Sequence, residues 1–188
     1  MNYLGHLYFS KNNLELMYAN LFGDFVKGTR LDHYPKIIQD GIFLHRSIDA
    51  LIDHHTEVIR VKRLFYNELP KVSGIAMDLF FDHLLALNWS RYSKIPLQQF
   101  LDDFYNFEPK YSYHEAPAFI VFIQNLKRYQ WINSYGTTYG LEKSCEGVSK
   151  KISFDNNLAL APKVFYENEK IIEKAFHVFM KDAIQFFF

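Results

Sequence analysis

Imidazole and carboxylate groups stand at four places in the first half of this chain where an apolar core is otherwise expected. They are His6 in YLGHLYF, Asp24 in NLFGDFVKG, His45 and Asp49 in GIFLHRSIDALIDHH, and Asp78, Asp82 and His83 in GIAMDLFFDHLLALNWSRY. A charged side chain is costly to bury unless it is paired, hydrogen-bonded or bound to a metal. His45 and Asp49 are four residues apart, as are Asp49 and Asp53, and Asp78 and Asp82. On a helix each such pair lies one above the other on one face. Mixed imidazole and carboxylate donors suit manganese, iron(II), zinc or magnesium, and helical bundles hold such ions between facing helices. A ligating histidine commonly donates its second ring N–H to a carboxylate, which a neighbouring Asp can accept.

Taken singly, each residue has an ordinary structural reading. Asp24 can bridge to Lys27, Asp49 and Arg46 can form common ion pairs, and Asp78 can cap the first turn after Ser73. Asp53, His54 and His55 can reach the surface. The coincidence of several separate intrusions favours a shared site, yet on spacing alone both readings stay open. Arg46 follows His45 and points about a quarter turn away, where it could grip a phosphate bidentately. Lys27 and the stripe Arg60, Lys62 and Arg63 in RVKRLF, with Lys71 nearby, are further cations, each as compatible with a solvated face. His33, His114 and His177 lack such company.

The elements that must position these groups read as helices throughout. Asn2 is placed to cap a short helix carrying Tyr3, Leu4, Leu7 and Tyr8. Asn12 or Asn13 starts a second, running to Gly28. Pro35 opens a third, with Ile38, Ile42, Ile48 and Ile52 on its inner face, continuing through Val58, Val61 and Phe65 to Pro70. Ser73 starts the fourth and Pro96 the fifth. Glu115 or Ala116, Thr137 or Thr138, and Pro162 start the remainder. No stretch alternates with period two. The expectation is one all-α domain over 1–188, a bundle of seven or eight helices.

Lys and Arg total 21 against 21 Asp and Glu, so bulk charge does not point to nucleic acid. The single Cys145 excludes an intrachain disulfide and a Cys-rich zinc site, and fits a reducing compartment. No signal peptide or membrane-spanning run is apparent, so a cytoplasmic protein is expected. Neither a phosphate-binding glycine loop nor a nucleophile elbow is present. Aromatic residues, 19 Phe and 13 Tyr, are read as core filling, and the terminal QFFF either packs back or meets a partner.

The blocks MNYLGHLYFS, NLFGDFVKG, GIFLHRSIDALID and DLFFDHLLALNW, in that order and at these gaps, resemble the acyl carrier protein phosphodiesterase family. QWINSYG and the helix from Pro162 extend the likeness over nearly the whole chain. The resemblance implies an atypical HD-domain-like all-α fold and a phosphodiesterase that removes 4′-phosphopantetheine from holo acyl carrier protein. It implies a divalent metal, Mn2+ or Mg2+, held by His6, Asp24, His45 and the pair Asp82 and His83, with Asp78 in support. The Asp-His order reverses that of ordinary HD proteins and leaves open which of the pair ligates. On the same resemblance, Arg46 and Lys27 offset phosphoryl charge, and Asp49 orients His45 or accepts a proton. An acidic carrier protein would dock on Arg60 and Arg63, with Lys62 and Lys71 beside them. The rival expectations are an HD-type hydrolase of a small phosphoester or nucleotide, and a non-catalytic helical module that binds a protein.

Overall fold

The computed structural model describes residues 1–113 and 116–188. His114, and Glu115 as the start of a helix, lie outside the described residues. All regular structure described is helical: α1 Tyr3–Phe9, α2 Leu14–Phe22, α3 Lys36–His54, α4 Thr56–Leu64, α5 Ser73–Leu87, α6 Trp89–Tyr92, α7 Leu97–Asn106, α8 Pro117–Tyr129, α9 Thr138–Ser149 and α10 Ala161–Phe187. Short 3-10 turns occupy Gly23–Phe25, Trp131–Ser134 and Leu158–Leu160.

The all-α expectation holds, with more helices among the described residues than the seven or eight expected. The apolar pattern from Pro35 to Pro70 is one stripe in sequence but two helices in space. The backbone turns extended at His55 (φ −69°, ψ 125°), which ends α3 and starts α4. The short α6 after Asn88 supplies the other addition. α2 stops at Phe22 rather than Gly28, because Gly23–Phe25 tighten into a 3-10 turn.

Two expected caps form and one does not. Asn13 Oδ1 accepts from Leu16 N at 3.0 Å, and Thr137 Oγ1 from Gly140 N at 3.0 Å. Asn2 makes no side-chain cap on α1. The acceptor there comes from 78 residues away: Asp82 Oδ2 takes the Leu4 N–H at 2.7 Å, and its Oδ1 takes the Gly5 N–H at 3.1 Å. A carboxylate at a helix N-terminus satisfies orphan donors and meets the positive end of the helix dipole.

α5 is the inner helix. Its Phe80 packs on Phe165, and its Phe81 on Phe176 and Phe179 of α10, with ring centroids 5.2–5.5 Å apart. α2 and α3 come together where Gly41 faces Ala19 and the Asn20 backbone; a Cβ at Gly41 would collide with both. The QFFF end packs back onto α1, with Phe187 against Phe9 at 5.0 Å and Phe188 against Tyr8 at 5.6 Å. Among the described residues no helix is long and apolar enough to cross a membrane.

Candidate active site

α1, α3 and the Gly23–Phe25 turn bring His6, His45, Asp49 and Asp24 to one point. His6 and His45 stack with ring centroids 4.2 Å apart and planes 17° from parallel. Both present Nε2 to the Asp49 carboxylate: His6 Nε2 lies 3.3 Å from Oδ1 and His45 Nε2 lies 3.2 Å from Oδ2. His45 Nε2 is also 3.2 Å from Asp24 Oδ1. The donor atoms of His6, His45 and Asp49 all fall within 4.8 Å of one another, a set that could hold a metal ion.

Local sequence explains the convergence. The i, i+4 spacing on α3 stacks Asp49 over His45. Gly23 lies against the His45 ring; a Cβ there would stand 2.5 Å from His45 Cβ and Cγ. Only glycine lets the turn approach closely enough for Asp24 to reach His45 Nε2. Arg46 then holds the chain leaving that turn. Its Nη2 donates to Gly28 O at 2.7 Å and Val26 O at 3.3 Å. Through Nη2 the Arg46 guanidinium thus satisfies two carbonyls of the loop after Asp24 and steadies that loop.

Asn20 is the residue that sequence reading missed. Its Nδ2 donates to His6 O at 2.9 Å and Ser10 Oγ at 3.1 Å, so its Oδ1 is turned to His6 Nδ1 at 2.9 Å. An amide oxygen accepts only, so His6 carries its proton on Nδ1 and presents a bare Nε2 lone pair to Asp49. The available signal was one polar residue in an otherwise apolar part of α2, YANLF.

The electrostatics follow from this packing. Burial lowers the His6 pKa, helped by the neighbouring His45, and the contact with Asp49 only partly opposes it. Burial also disfavours a charged His45, but hydrogen bonds to Asp24 and Asp49 outweigh it and raise that imidazole to about 9. Asp49 responds in the opposite sense. Burial pushes it up, yet its hydrogen bond from the protonated His45 holds it below the usual carboxylate range. His45 Nδ1 is buried and has no hydrogen-bond partner among the described residues.

The structure departs from expectation at the Asp82–His83 pair. Asp82 is 1% exposed and spends both oxygens on the α1 N-terminus, and burial raises its pKa to about 7. His83 points another way around α5. Its Nδ1 pairs with Tyr135 O at 2.7 Å and its ring meets Phe165 edge-on at 5.1 Å. The pair holds α1 and the Trp131–Ser134 region against α5, and neither ring nor carboxylate is brought to the His6–His45–Asp49 cluster. Asp78, on the same helix, accepts from the Met1 amino group at 3.0 Å.

His6, Asp24 and Asp49 of the cluster line a cleft of about 440 Å³, while His45 is buried next to them. Asp24, Asp49, Asp53 and Asp78 line it, and Lys151 enters from beyond the end of α9. Lys27 is exposed on the loop that Arg46 holds. Arg60 is tied to Glu57, with Nε to Oε2 at 3.0 Å, and Arg63 is exposed farther along α4. None of these three cations lines the cleft.

The family model for acyl carrier protein phosphodiesterase matches residues 1–183. The chain is 30% identical over 152 residues to a protein of that name from Enterobacter sp. (strain 638), covering 80% of this chain and 79% of the relative. Relatives of the same name from Salmonella agona (strain SL483) and Salmonella newport (strain SL254) are 36% identical over 102 residues, 54% of this chain. In those two the match spans about half of the relative, 53% of its length. No solved structure matches this chain.

Proposed function

Because this chain belongs to the acyl carrier protein phosphodiesterase family, we propose that it hydrolyses the phosphodiester joining 4′-phosphopantetheine to holo acyl carrier protein, giving the apo protein. The observation that supports a hydrolytic site is the meeting of His6 Nε2, His45 Nε2 and the Asp49 carboxylate on the wall of an acidic cleft.

These residues fit a divalent cation. The His6 lone pair faces a carboxylate oxygen at 3.3 Å, a repulsive pairing that a cation between them turns into two attractive ones. His45 Nε2 lies 3.2 Å from both Asp24 Oδ1 and Asp49 Oδ2, so the groups that share its proton are ones that could hold a cation in its stead. His6, His45 and Asp49 are the proposed ligands, joined by Asp24. Two imidazoles beside carboxylates favour Mn2+ over Mg2+, which prefers an oxygen shell. A divalent ion held there would supply Lewis acidity for the phosphoryl group and would lower the pKa of a bound water toward neutrality.

The chain's own groups do the rest. Asp49, held strongly acidic by His45, is suited to orient the two imidazoles rather than to take up a proton. Asp24, more than half exposed at 55%, turns only Oδ1 to the cluster, so its Oδ2 is the oxygen placed to accept the proton of the attacking water. The water oxygen bonds to phosphorus, the P–O bond to the carrier protein's hydroxyl breaks, and that oxygen leaves with a proton. Lys27 and Arg63 remain candidates for the carrier's acidic surface. Buried, free Cys145 suits the reducing cytoplasm where we place the reaction.

Intact mass spectrometry of holo acyl carrier protein incubated with this protein and Mn2+, with and without chelator, tests the reading. Loss of the phosphopantetheine mass that chelator prevents is expected. A folded protein that leaves the holo mass unchanged with Mn2+ present overturns it.

A further inference from the structure

A second pocket, of about 210 Å³, adjoins the acidic cleft. The two share Asn2, Tyr3, Val148 and Lys151 in their linings, so they are one continuous groove with Lys151 at the junction. The second pocket runs along α9. The rings of Tyr3 and Trp131, 6.5 Å apart, lie on one side, and Ser144 and Gly147 on the other. A phosphate diester approaching the cluster meets the carboxylates of Asp24, Asp49, Asp53 and Asp78. Lys151 is the one Lys or Arg lining that cleft.

Its position is set by the backbone. Lys151 N donates to Val148 O at 2.9 Å just past the end of α9, where the helix dipole favours a cation. Its ammonium group makes no ion pair among the described residues, within 4.0 Å of any acid. Arg46, by contrast, is committed to loop carbonyls. The adjoining pocket carries aromatic faces together with hydroxyl and amide groups from Ser134, Ser144 and Asn2. Those are the partners that a chain of alternating methyl, methylene and amide groups requires.

We propose that Lys151 binds the scissile phosphate and that the α9 pocket receives the pantetheine arm, leaving the open side of the cleft to the carrier protein. This rests on the proposed reaction. The arm then anchors the phosphoryl group it stays attached to, and the carrier, whose hydroxyl leaves, never needs to fit inside the groove.

Gly147 gives a clean test, because a Cβ built there meets nothing within 4 Å. Gly147→Phe adds a ring at the pocket lining from a Cβ that meets no neighbour, and Gly147→Ala adds only that Cβ while improving helix propensity. Steady-state kinetics are compared on holo carrier protein and on bis(p-nitrophenyl) phosphate, a diester with no arm. Gly147→Phe is expected to raise KM for holo carrier protein at least tenfold and to leave the small diester unchanged, with Gly147→Ala like wild type on both. Lys151→Ala should raise KM for both substrates at least tenfold, with Lys151→Arg restoring part of it and bound metal unchanged. Unchanged KM for holo carrier protein in Gly147→Phe, or in Lys151→Ala, overturns the proposal while the reaction stands. A wild-type protein that cleaves only the small diester overturns the reaction and the arm subsite with it.

Discussion

His6 Nε2 and Asp49 Oδ1 face each other across 3.3 Å, and the proton that could make this a hydrogen bond sits on the other ring nitrogen, against Asn20. That arrangement depends on Asn20 keeping both amide hydrogens occupied by His6 O and Ser10 Oγ. Groups that fix the tautomer of a ligating histidine are commonly worth 10–100-fold in metal affinity. Asn20→Ala should therefore weaken Mn2+ binding by about 10–100-fold, read by isothermal titration calorimetry at constant pH. Wild-type affinity in that variant would mean that Asn20 does not set the His6 ring.

The pH dependence follows from His45. In the unfolded chain its imidazole titrates near 6.5, and in the fold it is raised to about 9. A raised imidazole contributes stability that is complete below about pH 6.5 and is lost as pH rises through about 9. Metal binding runs the other way, since an ion must displace that proton. His6, whose pKa is lowered, has no second proton to release near neutrality. Apparent Mn2+ affinity should thus climb about tenfold per pH unit from roughly pH 7 to 9 and then level off. Calorimetry in two buffers of different ionisation enthalpy should count one proton released per ion at pH 7. A flat affinity profile would exclude His45 as a ligand.

Much of the site was legible in the sequence because its residues interrupt apolar runs at helical spacing. The four-residue step from His45 to Asp49, and the glycine before Asp24, are local features whose consequence holds in the fold. What the sequence could not separate is a carboxylate that joins the imidazole cluster from one buried to cap a distant helix. Asp82 and Asp49 both sit among isoleucines, leucines and phenylalanines, and only tertiary packing brings α1's N–H groups to the first. The break at His55 was invisible for a similar reason. The apolar stripe continues in register on both sides, and no Gly or Pro marks the turn. Asn20 meets His6 from another helix, and Lys151 lines a cleft built mostly from α1, α3 and α5, so neither carries a local pattern.

Gly23 offers a test of the close approach between the turn and α3. A methyl group there lands 2.5 Å from His45 Cβ and Cγ, so either the turn or the ring must move. Overpacking of this kind costs about 1–3 kcal/mol. Gly23→Ala should lower the thermal midpoint and weaken Mn2+ binding together, as Asp24 is carried away from His45 Nε2. Loss of stability with metal affinity intact would show that Asp24 is not needed for the ion.

Asp82 and Asp49 should respond to truncation in opposite ways. Asp82→Ala leaves the Leu4 and Gly5 N–H groups in the core without an acceptor. Each buried unsatisfied donor costs about 1–3 kcal/mol, so a loss of about 3 kcal/mol in denaturant unfolding is expected, with metal stoichiometry retained in the folded fraction. Asp49→Ala removes the one carboxylate that both imidazoles share. Its side chain is 46% exposed and Asp24 still pairs with His45, so less stability should be lost than in Asp82→Ala, while bound metal and phosphodiesterase activity should both be lost. His83→Gln, which keeps a donor for Tyr135 O, should retain both metal and turnover. If His83→Gln instead lost its metal while Asp49→Ala kept it, the centre would lie on the α5 side of the core, and the cluster of His6, His45 and Asp49 would be an ion-pair network.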